Sequence, residues 1–427
     1  MSLFYSVSIY VYASLIRIAS LFNGQAHRFI QGRKGQFRNM EKSIGNHDEL
    51  VWFHCASLGE FEQGRPLIED FRTTFPGYKI LLTFFSPSGF ELQKDYPLAD
   101  YIFYLPLDKP ANVRRFLKIF HPKLVVFIKY EFWFNYLDAL YRNKIPFFLV
   151  SAIFRKNQHF FQFYGSWFRK QLLKVSWFFV QNKTSASLLN SVKINHFEIS
   201  GDTRFDRVMK IRQTASKLPF IETFKNGNKL LIAGSTWPAD EEILKDYLDQ
   251  THNQLKLIIA PHKTDETHIR SLLQQFKTFK PVLYSQASNA DLVNNRLLII
   301  DRIGLLSAMY QYADLAYVGG GFGVGIHNLL EAAVYGIPVI FGPNYARFQE
   351  AHDLIEAGGG FSIDNQDALQ RICEKLLSTA DYYHEAAKAS ENYVKEHAGA
   401  TDRVMSKIKE YLLTESETAV NKPTNFV

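Results

Sequence analysis

Glu60 and Glu131 are the residues of this chain best placed to move a proton. Glu60 ends the run HCASLGE, just after an apolar strand-like stretch and at the predicted start of a helix, and Gly59 before it permits a sharp turn. The positive end of a helix favours the charged carboxylate, so Glu60 would be ionised and competent as a base unless burial raised its pKa. The same position also suits an acid that only complements the helix dipole. Glu131 ends the strongly apolar run LVVFIKYE and is followed by Phe132 and Trp133. An acid at a strand's carboxyl end opens into the same crevice, and two carboxylates from adjacent loops can divide the roles of base and of holding the base in place.

A second set of residues suits phosphate and a sugar. The segment Gly319–Pro343, GGGFGVGIHNLLEAAVYGIPVIFGP, joins an apolar strand to a glycine-rich loop and then to a polar-headed helix. Gly319, Gly320, Gly321, Gly323 and Gly325 let the backbone turn N–H groups toward an anion, and a helix starting near His327 would add its positive end. Such turns are common in nucleotide-binding α/β proteins and do not alone identify a ligand. On that helix His327, Asn328 and Glu331 share one side, where Glu331 would suit the two hydroxyls of a ribose. A metal site is the competing reading, but only one His and one Glu converge and no third ligand is evident. Ser235 and Thr236 in IAGSTWPADEE suit hydrogen bonds to phosphate or, equally, an N-cap. His262 and Lys263 in APHKTDE add positive charge at the same sheet edge, and Arg204 in ISGDTRFD offers a fork for phosphate or carboxylate, or an ion pair with Asp202 or Asp206.

Positioning these loops takes two sheets. Apolar runs alternate with helix-length segments at Val51–Phe53, Ile80–Phe84, Tyr101–Tyr104, Leu124–Ile128, Phe147–Val150 and Trp177–Val180. They resume at Leu230–Ala233, Leu255–Ile259, Val282–Tyr284, Leu297–Ile300, Leu315–Val318 and Val339–Phe341. Such alternation predicts two doubly wound parallel sheets, with ligands beyond the carboxyl ends of the strands. The expected organisation is an N-terminal segment over 1–42, a first domain over 43–210, a polar linker over 211–228, a second domain over 229–413 and a poorly ordered polar tail over 414–427.

The chain has 427 residues and a formal charge of +7, which favours an anionic partner: nucleic acid, a phospholipid surface or a phosphorylated substrate. Leu3 to Phe22 is apolar and aromatic-rich, interrupted by serines and Arg17, and is followed by Arg28, Arg33, Lys34, Arg38 and Lys42. That pattern predicts membrane association, as an interfacial helix or a marginal anchor facing the cytoplasmic leaflet, against the plainer reading of a helix packed on its own domain. Two cysteines, Cys55 and Cys373, make no disulfide framework and fit a reducing compartment, with Cys55 read as a small buried residue over a reactive thiol.

Taken in order, ASLGEFEQGRPLI, PKLVVFIKYEFWFNYL, SGDTRFD, GSTWPADEE and GIHNLLEAAVYGIPVIFGPNYARFQE resemble the bacterial 3-deoxy-D-manno-octulosonic acid (Kdo) transferases of lipopolysaccharide synthesis, over nearly the whole chain. The resemblance implies a GT-B glycosyltransferase with two Rossmann-like domains facing a central cleft, the first taking a phosphorylated lipid A precursor and the second CMP-Kdo. Glu60 then matches the family's general base and Glu131 its second acidic position, with Gly59, Arg65 and Trp133 on the acceptor side. Arg204, Ser235, Thr236, His262, Lys263, Gly321, Gly325, His327, Asn328 and Glu331 fall on the donor side. The implied reaction inverts the anomeric centre without metal or other cofactor, at the cytoplasmic face of the inner membrane. Departures are Arg204 where the family usually has Lys, Pro261-His262-Lys263 for Pro-Arg-His, Asn328-Leu329-Leu330-Glu331 for Asn-Pro-Leu-Glu, and Phe134 for Pro. The alternatives are another nucleotide-sugar transferase or epimerase on the same frame, and a non-catalytic membrane or nucleic-acid binding protein. Nucleic acid is disfavoured by the scarcity of basic-aromatic stacking stripes.

Overall fold

The computed structural model describes residues 2–45, 48–129, 131–251 and 255–420, with 414–420 as backbone. The chain divides into two compact units, the first built from residues 1–207 and 399–427 and the second from 208–398. Each holds one seven-stranded parallel sheet.

In the first unit the strands are β1 (Leu50–Cys55), β2 (Lys79–Phe84), β3 (Tyr101–Tyr104), β4 (Leu124–Ile128), β5 (Phe147–Ala152), β6 (Trp177–Val180) and β7 (Phe197–Ile199), in the order β3-β2-β1-β4-β5-β6-β7. Every residue of β1, β4 and β5 is buried, because helices cover both faces of the sheet. The direction of winding reverses between β1 and β4, and the crevice for a ligand of such a sheet lies at that reversal. The second unit holds β8 (Lys229–Thr236), β9 (Leu255–Pro261), β10 (Val282–Leu283), β11 (Leu297–Ile299), β12 (Leu315–Val318), β13 (Val339–Phe341) and β14 (Gly360–Ser362), in the order β10-β11-β9-β8-β12-β13-β14. Its reversal falls between β8 and β12.

Three boundaries differ from those expected. The 211–228 stretch is no loose linker: the helix Thr203–Thr214 enters it and the helix Pro219–Lys225 follows, burying Ile221 and Phe224 within the second unit. The helix Ala400–Val420, placed by sequence partly in the second domain and partly in the tail, belongs to the first unit. Its Val404, Met405, Ile408 and Leu412 join the core of Val51, Phe53, Phe71 and Phe148, and Asp206 receives the backbone N–H groups of Gly399 and Thr401 at its start. The helix therefore runs through 414–420, and 421–427 lie outside the described residues.

The N-terminal segment forms α1 (Ser2–Ala19) and α2 (Gly24–Gln31), then a further short helix. Among the described residues α1 alone is long and apolar enough to cross a membrane. It lies against the first unit along one side: the Tyr5 hydroxyl donates to Asp108 Oδ2 at 2.6 Å, Ser6 to Asn135 Oδ1 at 3.2 Å, and Ile9 and Ala13 are buried. Asp108 is itself buried and accepts the N–H groups of Asn135 and Tyr136, yet burial still pushes its carboxyl up to about 7. Leu3, Phe4, Val7, Val11, Leu15 and Ile18 on the remaining side are exposed.

Candidate active site

The first unit brings its charged groups to the reversal between β1 and β4. After β1 the chain turns at Ser57 and enters the helix Leu58–Thr74, whose first turn carries Glu60. Ser57 stands at the N-cap, but its hydroxyl donates to the Glu60 carboxylate and accepts no backbone N–H of the helix. From the end of β4, Lys129 reaches back and sets Nζ 3.4 Å from Glu60 Oε1. Its backbone is left-handed, with φ 66°, an uncommon conformation outside glycine and one that clusters where a side chain must be aimed. Burial pushes the Glu60 carboxyl up, but the Ser57 hydroxyl and the Lys129 ammonium outweigh it and hold it below the ordinary glutamate value. Glu60 thus sits in the first helical turn and also carries a dedicated cation.

Glu131 follows two residues after Lys129, across Tyr130, which lies outside the described residues. One carboxylate oxygen is 3.9 Å from Nε2 of His54, the next-to-last residue of β1. His54 is fully buried, its Nδ1 lies against Thr83 O and Oγ1 at 3.1 and 2.9 Å, and its Nε2 has no hydrogen-bond partner. The two carboxylates predicted from sequence therefore rise from the carboxyl ends of neighbouring strands. Trp133 lies against Phe85, ring centroids 4.6 Å apart and planes tilted by 35°, with a buried, unpartnered indole N–H.

Three acceptor-side and linking residues are placed differently from expectation. Gly59 is an ordinary helical residue whose Cβ would meet only Ser57 Oγ at 3.7 Å, so no sharp turn requires it. Arg65 is held by its own helix, with Nε 2.8 Å from Glu69 Oε1 and Nη1 3.9 Å from Glu62. Arg204 belongs to the first unit and pairs with buried Asp202 at 2.9 Å, while the amides of Gln63 and Gln181 complete that carboxylate.

In the second unit β8 breaks register at Ser235, whose φ is 55°, and the strand continues to Thr236. Gly319 makes room for this kink, since a Cβ there would lie 2.5 Å from Ser235 O. The Ser235 hydroxyl has no protein partner among the described residues, whereas Thr236 is buried and donates to Glu241 Oε1 at 2.9 Å, beside His268 Nε2 at 3.0 Å. Ser235 can therefore reach a ligand, and Thr236 holds the framework.

The rings of Trp237, His262 and His327 stack in sequence, 4.8 and 4.5 Å apart, with Lys263 Nζ 5.4 Å from the Trp237 ring. An indole N–H can only donate, so its 3.0 Å bond to His327 Nε2 fixes that nitrogen as the acceptor and the ring proton on Nδ1. Burial and the neighbouring His262 push His327 down to about 4, in keeping with a neutral ring. A nitrogen so engaged is not a metal ligand, and no three His, Cys, Asp or Glu side chains come together among the described residues.

The glycine loop does not present the phosphate seat expected of it. Buried Asp240 takes the N–H groups of Gly320 and Trp237 at 2.8 and 2.9 Å and the Tyr317 hydroxyl at 2.7 Å. Gly319 N donates to Gly234 O, Gly323 N and Gly325 N to Gly320 O, and His327 N to Gly319 O. Four of the five glycine N–H groups are thus taken within the protein, one of them by a carboxylate. The glycines serve backbone approach instead: a Cβ at Gly321 would fall 2.6 Å from Gly342, and Gly325 has φ 107°. Nor does a helix begin at His327; it spans only Leu330–Ala333, and Asn328 Oδ1 receives its first N–H at 3.2 Å. Asn328 Nδ2 also donates to Glu331 Oε1 at 3.1 Å, and Ser307 donates to the other carboxylate oxygen, which leaves Glu331 fixed in orientation.

Sequence reasoning missed Lys129, His54, Ser57, Asp240 and Ser307. Lys129 and His54 stand inside the very runs that carried Glu131 and Glu60, as polar residues at the end of an apolar strand. Cys55 is buried, with its thiol pushed up by burial, and is inert.

Two parallel α/β units of this kind, each with polar side chains at its strand reversal, make a two-domain fold of GT-B type. Its family resemblance is to the Kdo transferases. The family model described as 3-deoxy-D-manno-octulosonic-acid transferase (kdotransferase) matches residues 27–207. The 3-deoxy-D-manno-octulosonic acid transferase of Aquifex aeolicus is 29% identical over 349 residues, which cover 79% of this chain and 89% of that one. The enzyme of the same name from Haemophilus influenzae is 28% identical over 380 residues, covering 85% and 87%. Among solved structures, the UDP-GlcNAc 2-epimerase of Neisseria meningitidis bound to UDP-GlcNAc shares the fold, with a TM-score of 0.59, 17% identity and coverage of 86% of this chain and all of that one.

Proposed function

We propose that the protein transfers Kdo from CMP-Kdo to a primary hydroxyl of a phosphorylated lipid A precursor, with inversion at the anomeric carbon. The observation that carries this reading is Glu60: a carboxylate at a strand reversal, held ionised by Ser57 and Lys129 in a chain related to Kdo transferases. Glu60 takes the proton of the acceptor hydroxyl as its oxygen bonds to the anomeric carbon, and the bond from that carbon to the CMP phosphate breaks with its electron pair leaving on CMP. A base held below its ordinary pKa is always charged at neutral pH but weakly basic. The proton therefore moves late, after bonding to carbon has made the hydroxyl acidic. Glu131, 3.9 Å from His54 Nε2, orients the acceptor.

On the donor side Ser235 and Lys263 contact phosphate, the His327 Nδ1–H donates to an acceptor atom of CMP-Kdo, and Glu331 takes ribose hydroxyls in the orientation set by Ser307 and Asn328. Thr236 and the glycine loop frame these groups, and Arg204, neutralised by Asp202, is assigned no step. The reaction so written uses no metal. The docking of α1 along the first unit supports an interfacial helix over a spanning one, its exposed apolar side lying in the cytoplasmic face of the inner membrane.

Product mass tests the reading. Purified protein in detergent, given freshly generated CMP-Kdo and a tetraacylated, bisphosphorylated precursor, is expected to add one or more Kdo units, with CMP competing better than UDP. No mass gain from active donor would overturn it, and selective competition by UDP would move the assignment to another sugar nucleotide.

A further inference from the structure

A cleft of about 290 Å³ opens in the first unit between α1, α2 and the helix Pro87–Gln93. Its walls are mostly apolar: Tyr12 and Ile16 from α1, Ala26 and Phe29 from α2, and Phe85 and Pro87 after β2. The wall after β2 is joined to the turn that carries Glu60. Phe85 N and Ser86 N both donate to the carbonyl of Ala56, at 3.1 and 2.7 Å, and a Cβ on Gly89 would lie only 3.0 Å from the Ser57 carbonyl carbon. On its other side Phe85 packs at a tilt against Trp133, two residues from Glu131. The cleft thus shares one wall with both candidate catalytic carboxylates.

Charge and continuity indicate what fills it. Arg33 lies among the cleft's aromatic rings, its guanidinium carbon 3.7 Å from the centroid of Phe29 and 5.1 Å from that of Phe85. Its N–H groups donate to the backbone carbonyls of Phe29, Phe85 and Leu105, and no carboxylate pairs with it among the described residues. A buried guanidinium without a counter-charge keeps a positive field at the cleft. Arg28 at the rim is paired with Glu91 at 3.6 Å, which leaves Arg33 as the source of the field. Tyr12 and Ile16 continue along α1 into exposed Val11, Leu15 and Ile18, so an apolar track leads from the open side of the helix into the cleft.

We propose that this cleft holds one acyl chain of an anionic glycolipid, the acceptor, and so sets its sugar beside Glu60. The proposal rests on the acceptor being a lipid, as the function above requires. An amphiphile drawn along α1 keeps its chain against apolar walls throughout, while Arg33 favours the headgroup's negative charge. Binding energy from the chain is then used to place the hydroxyl.

The test needs no donor. The tetraacylated, bisphosphorylated precursor carrying a photoreactive diazirine in one acyl chain is irradiated with full-length enzyme, and the labelled peptides are mapped by mass. Label is expected on α1, α2 or residues 85–88, and Ala26→Trp, which fills the cleft, is expected to remove it. Label confined to other segments, or unchanged by Ala26→Trp, would overturn the proposal. In turnover, the ratio of kcat/KM for the acylated acceptor over its O-deacylated form should fall at least about tenfold in Ala26→Trp, the equivalent of about two methylene groups losing their burial; an unchanged ratio counts against the cleft. Gln25→Trp replaces it if Ala26→Trp does not fold. Wild-type label in the cleft without any Kdo transfer would sink the assigned reaction and leave the cleft standing, whereas Kdo transfer with label elsewhere would do the reverse.

Discussion

After β1 and β4 the chain leaves a carboxylate and an ammonium facing each other at the surface of a crevice, whereas after β8 and β12 it turns polar groups inward on one another. Both regions occupy the same topological place, the reversal of a doubly wound sheet. In the first, Glu60, Lys129 and Glu131 remain partly exposed. In the second, Asp240 and Glu241 are buried and hold Gly320, Trp237, Tyr317, Thr236 and His268, so that Ser235 and the His327 Nδ1–H stand among the groups left to meet a ligand. The same fold position is used for charge in one unit and for rigidity in the other.

The largest effect that separates them is expected from Glu60→Gln, which should lower the kcat of the proposed transfer by about two to four powers of ten, with the KM for the proposed donor nearly unchanged. Near-normal turnover would remove the charged site from the comparison. In the second unit Asp240→Ala leaves two N–H groups and one hydroxyl buried without their acceptor and should cost about 3 kcal/mol or more in urea unfolding. A neutral Asp240→Ala would mean that this carboxylate does not hold the loop.

Lys129→Met tests what the ammonium does. Glu60 is held below its unfolded-state value, so its contribution to stability is present above the unfolded pKa and is lost as pH falls through the folded one. With Lys129 gone, burial weighs more and the carboxyl moves up, so the acid limb of kcat/KM should shift to higher pH. An unmoved limb would show that Ser57 suffices. The smallest effect belongs to Ser235→Gly: relief of a left-handed serine should offset its greater unfolded-state freedom, leaving stability within about 1 kcal/mol, while the KM for CMP-Kdo rises. A clear loss of stability would make the Ser235 hydroxyl a structural group like Thr236.

How far sequence reached follows the same division. Six strands of each sheet were legible as apolar runs, and the two that were not, β7 and β14, are three-residue edge strands, half-exposed for the most part. Glu60 and Glu131 could be found because each closes such a run. The glycine loop misled because glycine serves close backbone approach as readily as anion binding, and the deciding residue, Asp240, lies 80 positions before Gly320. Lys129 was hidden because its backbone at the end of β4 is left-handed, a conformation no local pattern announces, and its ammonium lies 3.4 Å from Glu60. The return of the helix Ala400–Val420 to the first unit depends on contacts across the whole chain, which no local pattern records.

That return has a consequence for how the protein is made. The ribosome releases residues 1–207 first, but the core of the first unit is not filled until Val404 to Leu412 emerge. The second unit, contiguous from 208 to 398, can close on itself while the first still waits for its final helix. The apolar α1 therefore leaves the ribosome long before the helix that completes the core of its own unit.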